Sequence, residues 1–409
     1  MAYPADTNWR WDPSGGSNNN GGGFAASKGG ARITSPVTYT DLVIDAADNT
    51  KISSAGERAF TATDAGNVIN VQSGTGWTVQ RAMINSVTAG VATMDRAMGT
   101  VGSTGGTGVL GGACAVITDA LLELTIAGNT HELWATATMT IGAAISVSYV
   151  SAGTSAAPVK FTGMASDGSA NPTGDNRPLI AAGAYNVTLA SYWNVSDVRV
   201  TTTGSTGLSN GSSNTFVNCK AYNSSTTPKR SALTGGGSSG AISCECQSDY
   251  GYGLSGILFF QHCYSHDCSN GASARAFSPA ANNLVMISCI ADTSVVGVYV
   301  GSSYGLVIEN CTFYACKTNV SANAASGCRV VNNIFAGSAG TEDGAIWNVA
   351  SPVDYWDYND FYNLNHDRTN VAAGAHDFDA DPLFTDAANG DFSRTETDAD
   401  GIGITLGVG

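Results

Sequence analysis

Between residues 190 and 362, short apolar runs recur along the chain, each leading into one small polar residue and then a second short run. The segments Val195-Ser-Asp-Val-Arg-Val200, Phe216-Val-Asn-Cys-Lys-Ala221, Ala241-Ile-Ser-Cys-Glu-Cys246, Phe259-Phe-Gln-His-Cys-Tyr264, Val285-Met-Ile-Ser-Cys-Ile290, Val307-Ile-Glu-Asn-Cys-Thr-Phe313 and Val330-Val-Asn-Asn-Ile-Phe335 share this pattern. Short alternating runs broken by turn residues predict strands. One column runs Asp197, Cys219, Cys244, Cys263, Cys289, Cys311, Asn333 and Asp360, returning about every 23 residues. A second column, Gly251-Tyr-Gly-Leu254, Ala274-Arg-Ala-Phe277, Gly297-Val-Tyr-Val300, Asn319-Val-Ser-Ala322 and Ala345-Ile-Trp-Asn348, keeps the same period.

Two columns in phase predict a parallel β-helix in which each coil repeats the one below it. Strands stacked about 4.8 Å apart place equivalent residues over one another. The cysteines are then small apolar fillers, reduced and buried, with disulfide or metal roles as the alternatives. The residue before each (Asn218, Ser243, His262, Ser288, Asn310, Asn332) sits where a sharp turn needs the left-handed conformation. His262 therefore reads as a turn residue before it reads as a base.

Outside the repeat, residues 1–40 are rich in Gly, Ser and Asn, with Trp9, Trp11 and Phe24 as the aromatic exceptions. This stretch reads as an attachment arm whose rings anchor on a neighbouring subunit or on the helix cap. Residues 41–112 alternate in short strands (Leu42–Ile44, Thr50–Ser53, Asn67–Val71, Gln80–Ile84, Gly90–Met94) and predict a small antiparallel barrel or sandwich. The β-helix is expected over 113–375, and a cap or tail over 376–409.

Composition narrows the partners. Gly 50 and only 12% charged residues suit short strands and tight turns rather than amphipathic helices. A net charge of −15 with 18 Lys and Arg argues against nucleic acid, which needs clustered cations. No apolar run is long enough to span a membrane, and Met1-Ala2-Tyr3-Pro4 has no leader-like character, so assembly in a host cytoplasm is expected. Nine of the ten cysteines fall between Cys219 and Cys328, inside the repeat, which is not the layout of a small disulfide-framed domain.

The phrases at 307–313 and 329–335, with Gly153-Thr-Ser-Ala-Ala-Pro-Val-Lys-Phe-Thr-Gly163 and Asp381-Pro-Leu-Phe-Thr-Asp-Ala-Ala-Asn-Gly-Asp-Phe392, resemble the pectate-lyase-like right-handed β-helix superfamily. Ala65-Gly-Asn-Val-Ile-Asn-Val71 and Ala89-Gly-Val-Ala-Thr-Met-Asp-Arg96 are similar to modules near the start of phage and metagenomic virion proteins that carry β-helices. The superfamily resemblance covers about residues 115–392 and is specific for fold, not activity. It implies an all-β chain and a membership that includes polysaccharide lyases and hydrolases, tailspikes and non-enzymatic surface proteins.

Three surfaces are candidate sites. Asp249, Asp267 and Asp292 follow the thiol column in successive coils, at spacings that suit a glycosidase carboxylate pair; solvated turn residues and a cation site are the other readings. Tyr252, Arg275 and Tyr299 fall on one strand face, as a glycan platform or a subunit interface. Arg275 is also the one cation near the Asp row that could serve the lyase chemistry this resemblance implies. Asp377, Asp379 and Asp381, or Asp398 and Asp400, could bind Ca²⁺, whereas the alternative is a terminal coil and cap packing Tyr355, Trp356, Tyr358 and Phe361. No other cofactor is called for. These features lead to three functional expectations: a structural protein of a phage-virion exterior (capsid decoration or short tailspike), homotrimeric, touching other virion proteins and a host-surface polysaccharide; a polysaccharide depolymerase; or a monomeric adhesin.

Overall fold

A computed structural model describes residues 3–118, 122, 125–147, 153–170, 172, 176–204, 206–279, 283–301, 305–322, 327–338, 342–347 and 353–394. The chain is all-β, a parallel β-solenoid plus a closed six-stranded antiparallel barrel, with almost no helix among the described residues. No helix of the described residues is long and apolar enough to cross a membrane. The chain divides into two compact units, one of residues 1–141, 147–180 and 192–198, the other of residues 142–146, 181–191 and 199–409.

The first unit holds the barrel, built from Val37–Ile44, Lys51–Ser54, Val68–Ser73, Gln80–Thr88, Val91–Met94 and Gly106–Leu110. Tyr39, Leu42, Ile69, Val71, Ile84, Met94 and Leu110 fill its interior. The sixth strand escapes the sequence pattern because Gly106 occupies a position where a side chain would meet the Trp77 indole at 2.3 Å. Glycine here marks a close approach, not a loop.

The amino-terminal residues are not an arm. Thr7–Trp11 pairs in parallel with Thr130–Trp134, which pairs with Val159–Met164, and that strand with Trp193–Ser196. Trp9 and Trp11 are fully buried, so they belong to the interior of their own chain and neither is presented to another subunit. Phe24 is half-buried beside Arg32. Trp11 donates its indole N–H to His131 Nδ1 at 3.2 Å, which leaves Nε2 to carry the proton toward Thr125 Oγ1 at 2.9 Å. Burial holds the His131 pKa down to about 3, so the ring stays neutral, stacked on Trp11 and Trp193.

In the second unit each coil contributes three strands, as in Gly240–Ile242, Glu245–Ser248 and Tyr252–Ser255, to three parallel sheets called sheets 1, 2 and 3 in that order. The interior trades volume between faces. Where sheets 1 and 3 supply Phe260 and Phe277, sheet 2 supplies Cys246, Ser265 and Ala291; further on, sheet 2 supplies Phe313, Phe335 and Phe361. Constant packing density in a narrow tube requires this exchange.

All ten cysteines are free and buried. The turn residues before the thiol column are left-handed, with φ from 51° to 57° at Asn218, Ser243, His262, Ser288, Asn310 and Asn332. The same conformation at Asp197 and Tyr358 corrects the column at both ends. Asp197 is a turn residue and Val198 follows in the thiol position; at the far end Asn359 holds that position, and Asp360 pairs instead with Ile334.

Candidate functional site

Sheet 3 brings the predicted trio together. Tyr252 and Arg275 are register partners, and Arg275 pairs next with Val296, two residues ahead of the alignment read from sequence. Ala276 with Phe277, and Gly297 with Val298, are buried in succession, which breaks the alternation and lets Arg275 and Tyr299 both lie on the outer side. The Arg275 guanidinium carbon lies 3.4 Å from the Tyr299 ring centroid and 5.2 Å from that of Tyr252. Its Nη1 donates to Ser278 Oγ at 3.3 Å, while Nε is buried without a partner. The last repeat of the second column reaches Asn348, which lies outside the described residues.

The three aspartates of sheet 2 are neighbours but not equivalents. His266, not Asp267, pairs with Asp292, and Asp267 sits in the following turn at φ 54°. Each carboxylate has a partner from the chain itself. Tyr222 donates its hydroxyl to Asp249 at 3.2 Å, His266 Nδ1 lies 2.8 Å from Asp267, and Tyr264 and Thr293 donate to Asp292 at 3.2 and 2.6 Å.

Sequence reasoning passed over the group that links this row. Lys220 and Glu245 are register partners with Nζ and Oε1 2.8 Å apart, and the His266 Nε2 lies 3.4 Å from the same oxygen. Opposite charges one position after the thiol column in successive coils were the available signal. Burial works to raise the Glu245 pKa, but hydrogen bonds from His266 and Lys220 outweigh it and hold the group at about 2. Burial likewise opposes a charged His266, yet Glu245 and Asp267 raise its pKa. Asp292 is pushed up, chiefly by burial and further by the Asp267 charge, against the hydrogen bonds of Thr293 and Tyr264.

The Asp292 end of this row is also covered. A hairpin of Phe384–Asp386 and Asp391–Arg394 sets Phe392 against Tyr264 and Tyr314, at ring distances of 6.3 and 5.5 Å, and Phe384 against Tyr314 at 6.1 Å. Tyr314 is the register partner of Asp292, which is only 7% exposed. The folded chain keeps the Asp292 proton at pH values where the unfolded chain has released it, so stability drops as pH rises above 3.8 through the raised value. Asp292→Asn keeps an acceptor for Tyr264 and removes that loss. The variant is expected to be more stable than the parent at pH 7 in urea titrations, with the gap closing below pH 4; equal stability at both pH values would refute the assignment.

Asp377, Asp379 and Asp381 do not converge. Asp377 turns inward and accepts from Asn359 N and Nδ2, Trp356 Nε1 and Gly374 N, with Arg368 at 3.3 Å. Asp379 and Asp381 are exposed, and Asp381 caps Leu383 N. Among the described residues no group of three metal-ligating side chains forms; Asp398 and Asp400 lie outside them.

One surface went unread in the sequence. Strand registers place Ile242, Phe259, Val285, Ile287, Val307 and Val331 on the outer face of sheet 1, where all are half-buried. Gln261 stands between Ile242 and Ile287, and the Glu309–Arg329 ion pair separates Val331 from the rest.

No protein-family model and no curated protein matches the chain. Among solved structures, the tailspike protein gp49 of Pseudomonas phage LKA1 is similar at a TM-score of 0.18 and 10% identity, over 85% of this chain and 62% of that one. The chain spans less than two thirds of that protein's length. A likeness this weak says nothing about what this chain does.

Proposed function

We propose that this chain is a self-assembling structural protein of a phage-particle exterior, a β-helix of the pectate-lyase-like kind that contacts host-surface glycan without degrading it. The observation that carries the reading is the apolar outer face of sheet 1. An antiparallel or parallel sheet facing water presents polar side chains outward, and contiguous apolar patches on a surface mark contacts between molecules. A monomeric adhesin has no use for six aliphatic and aromatic side chains there. The Asp row gives hydrolysis little support, since its most buried carboxyl, Asp292, is only 7% exposed next to the hairpin-covered Tyr264 and Tyr314.

Mass photometry of the purified chain tests this. The parent is expected as an oligomer at micromolar concentration, and Ile287→Lys, whose side chain lies on the face and outside the core, as a monomer with an unchanged circular dichroism spectrum. A monomeric parent would defeat the assembly reading in favour of the adhesin. Release of reducing sugar from host polysaccharide by the parent, abolished in Asp267→Asn, would establish the depolymerase instead.

A further inference from the structure

At the corner where the chain passes from sheet 2 to sheet 3, four successive coils line an open cavity of about 250 Å³. Its walls are Ser269, Thr293, Val295, Ala315, Lys317 and Glu342. Left-handed turns at Asp267, Thr293 and Ala315 (φ 54°, 44° and 50°) bend the chain away at this corner in three coils running. The volume is below the ~300–1,000 Å³ of pockets that take drug-sized ligands, which limits an occupant to about one small ring.

We infer that this cavity is a subsite for a single neutral hexose residue of a glycan, an inference that rests on the glycan-contacting part of the function proposed above. The polar groups that line it are of opposite kinds. Lys317 is exposed and can only donate; Glu342 is 7% exposed and accepts, already holding the Ser338 hydroxyl at 2.9 Å. The Thr293 hydroxyl gives its proton to Asp292 Oδ1 and so offers lone pairs to the cavity. Ser269 can do either. Val295 and Ala315 supply apolar wall.

A sugar hydroxyl both donates and accepts, so neighbouring hydroxyls on one ring can take a proton from Lys317 and give one to Glu342. Charged ligands fit worse. A carboxylate would satisfy Lys317 but meet Glu342 on a chain of net charge −15, and an ammonium would meet Lys317. The charge pattern thus selects an uncharged polyol over a sugar acid or an amino sugar.

Saturation-transfer difference NMR on the full chain tests the assignment, with methyl glucoside, methyl galactoside, methyl mannoside, rhamnose and glucuronate as probes. At least one neutral sugar is expected to bind, and more tightly than glucuronate. Lys317→Ala, at an exposed position that leaves folding intact, is expected to weaken it about tenfold or more, the size of a lost charge-assisted hydrogen bond. Glu342→Gln, of the same shape, should also weaken it. No transfer to any neutral sugar, tighter binding of glucuronate, or equal affinity in parent and Lys317→Ala would overturn the subsite. Mass photometry on the same samples reads assembly separately, and binding of the whole chain to host cells without monosaccharide binding would sink this subsite while leaving the broader glycan reading intact.

Discussion

Phe335→Ala is expected to lower the unfolding free energy by about 3–5 kcal/mol, the usual loss for a large aromatic ring cut from a core that cannot collapse. Phe335 is fully buried, and its ring stacks on Phe313 at 5.2 Å and Phe361 at 5.1 Å, with Trp356 at 6.1 Å. Its neighbours are held one coil above and one below by strand pairing on sheet 2. Neither can move in to fill the space without breaking register. Phe335→Leu, which keeps most of the volume, should cost about 1.5 kcal/mol or less. Urea unfolding followed by tryptophan fluorescence measures both; a loss under about 1 kcal/mol for the alanine variant would show that the stack does not hold the solenoid.

Asp377→Ala should be nearly as damaging, at about 3 kcal/mol or more, because it strips the acceptor from several buried donors at once. In the last coils the thiol column gives way to Asn333 and Asn359. Asn333 Oδ1 accepts from Cys311 N at 2.9 Å, and Asn359 Oδ1 accepts from Asn333 N and Nδ2 at 3.1 and 3.0 Å. Asp377 Oδ1 then accepts from Asn359 N at 3.0 Å and Nδ2 at 3.3 Å and ends the ladder, since a carboxylate has no proton to pass on. Loss of the terminator takes their acceptor from the backbone N–H groups of Asn359 and Gly374. The C-terminal coil is expected to exchange its amide protons first. Hydrogen exchange that leaves residues 353–362 as protected in the variant as in the parent would refute this role.

The repeat was legible because stacking imposes the same demand on every coil. A left-handed turn followed by a small buried residue reappears wherever the chain passes from sheet 1 to sheet 2, so Asn218 through Asn332 announce the period without any knowledge of contacts. The column slipped by one at Asp197 and Asp360 because no thiol marks either end. Val198 and Asn359 hold the position there, and only the backbone conformation separates a polar turn residue from the one after it.

Trp9 and Trp11 were misread for a different reason. Their strand partner, Thr130–Trp134, follows the whole barrel in sequence, so no local period links the two. A Gly-rich stretch with isolated aromatics has the composition of a tether until a distant strand covers it. Gly106 concealed a barrel strand in the same way. The trio of Tyr252, Arg275 and Tyr299 comes together because two consecutive buried residues in each strand, Ala276 with Phe277 and Gly297 with Val298, reset the alternation.

By itself, the order of residues determined the architecture: short strands, their coil length, the turn conformation and the reduced thiols all follow from steric and burial rules that act over a few residues and repeat. Which surfaces can do anything was decided only by tertiary structure. Whether Asp292 is open or covered, whether Asp377 faces a cation or an amide, and whether Ile287 looks inward or out depend on which coil lies above and what the chain's end folds back upon. Those relations join residues far apart in sequence, and neither spacing nor composition encodes them.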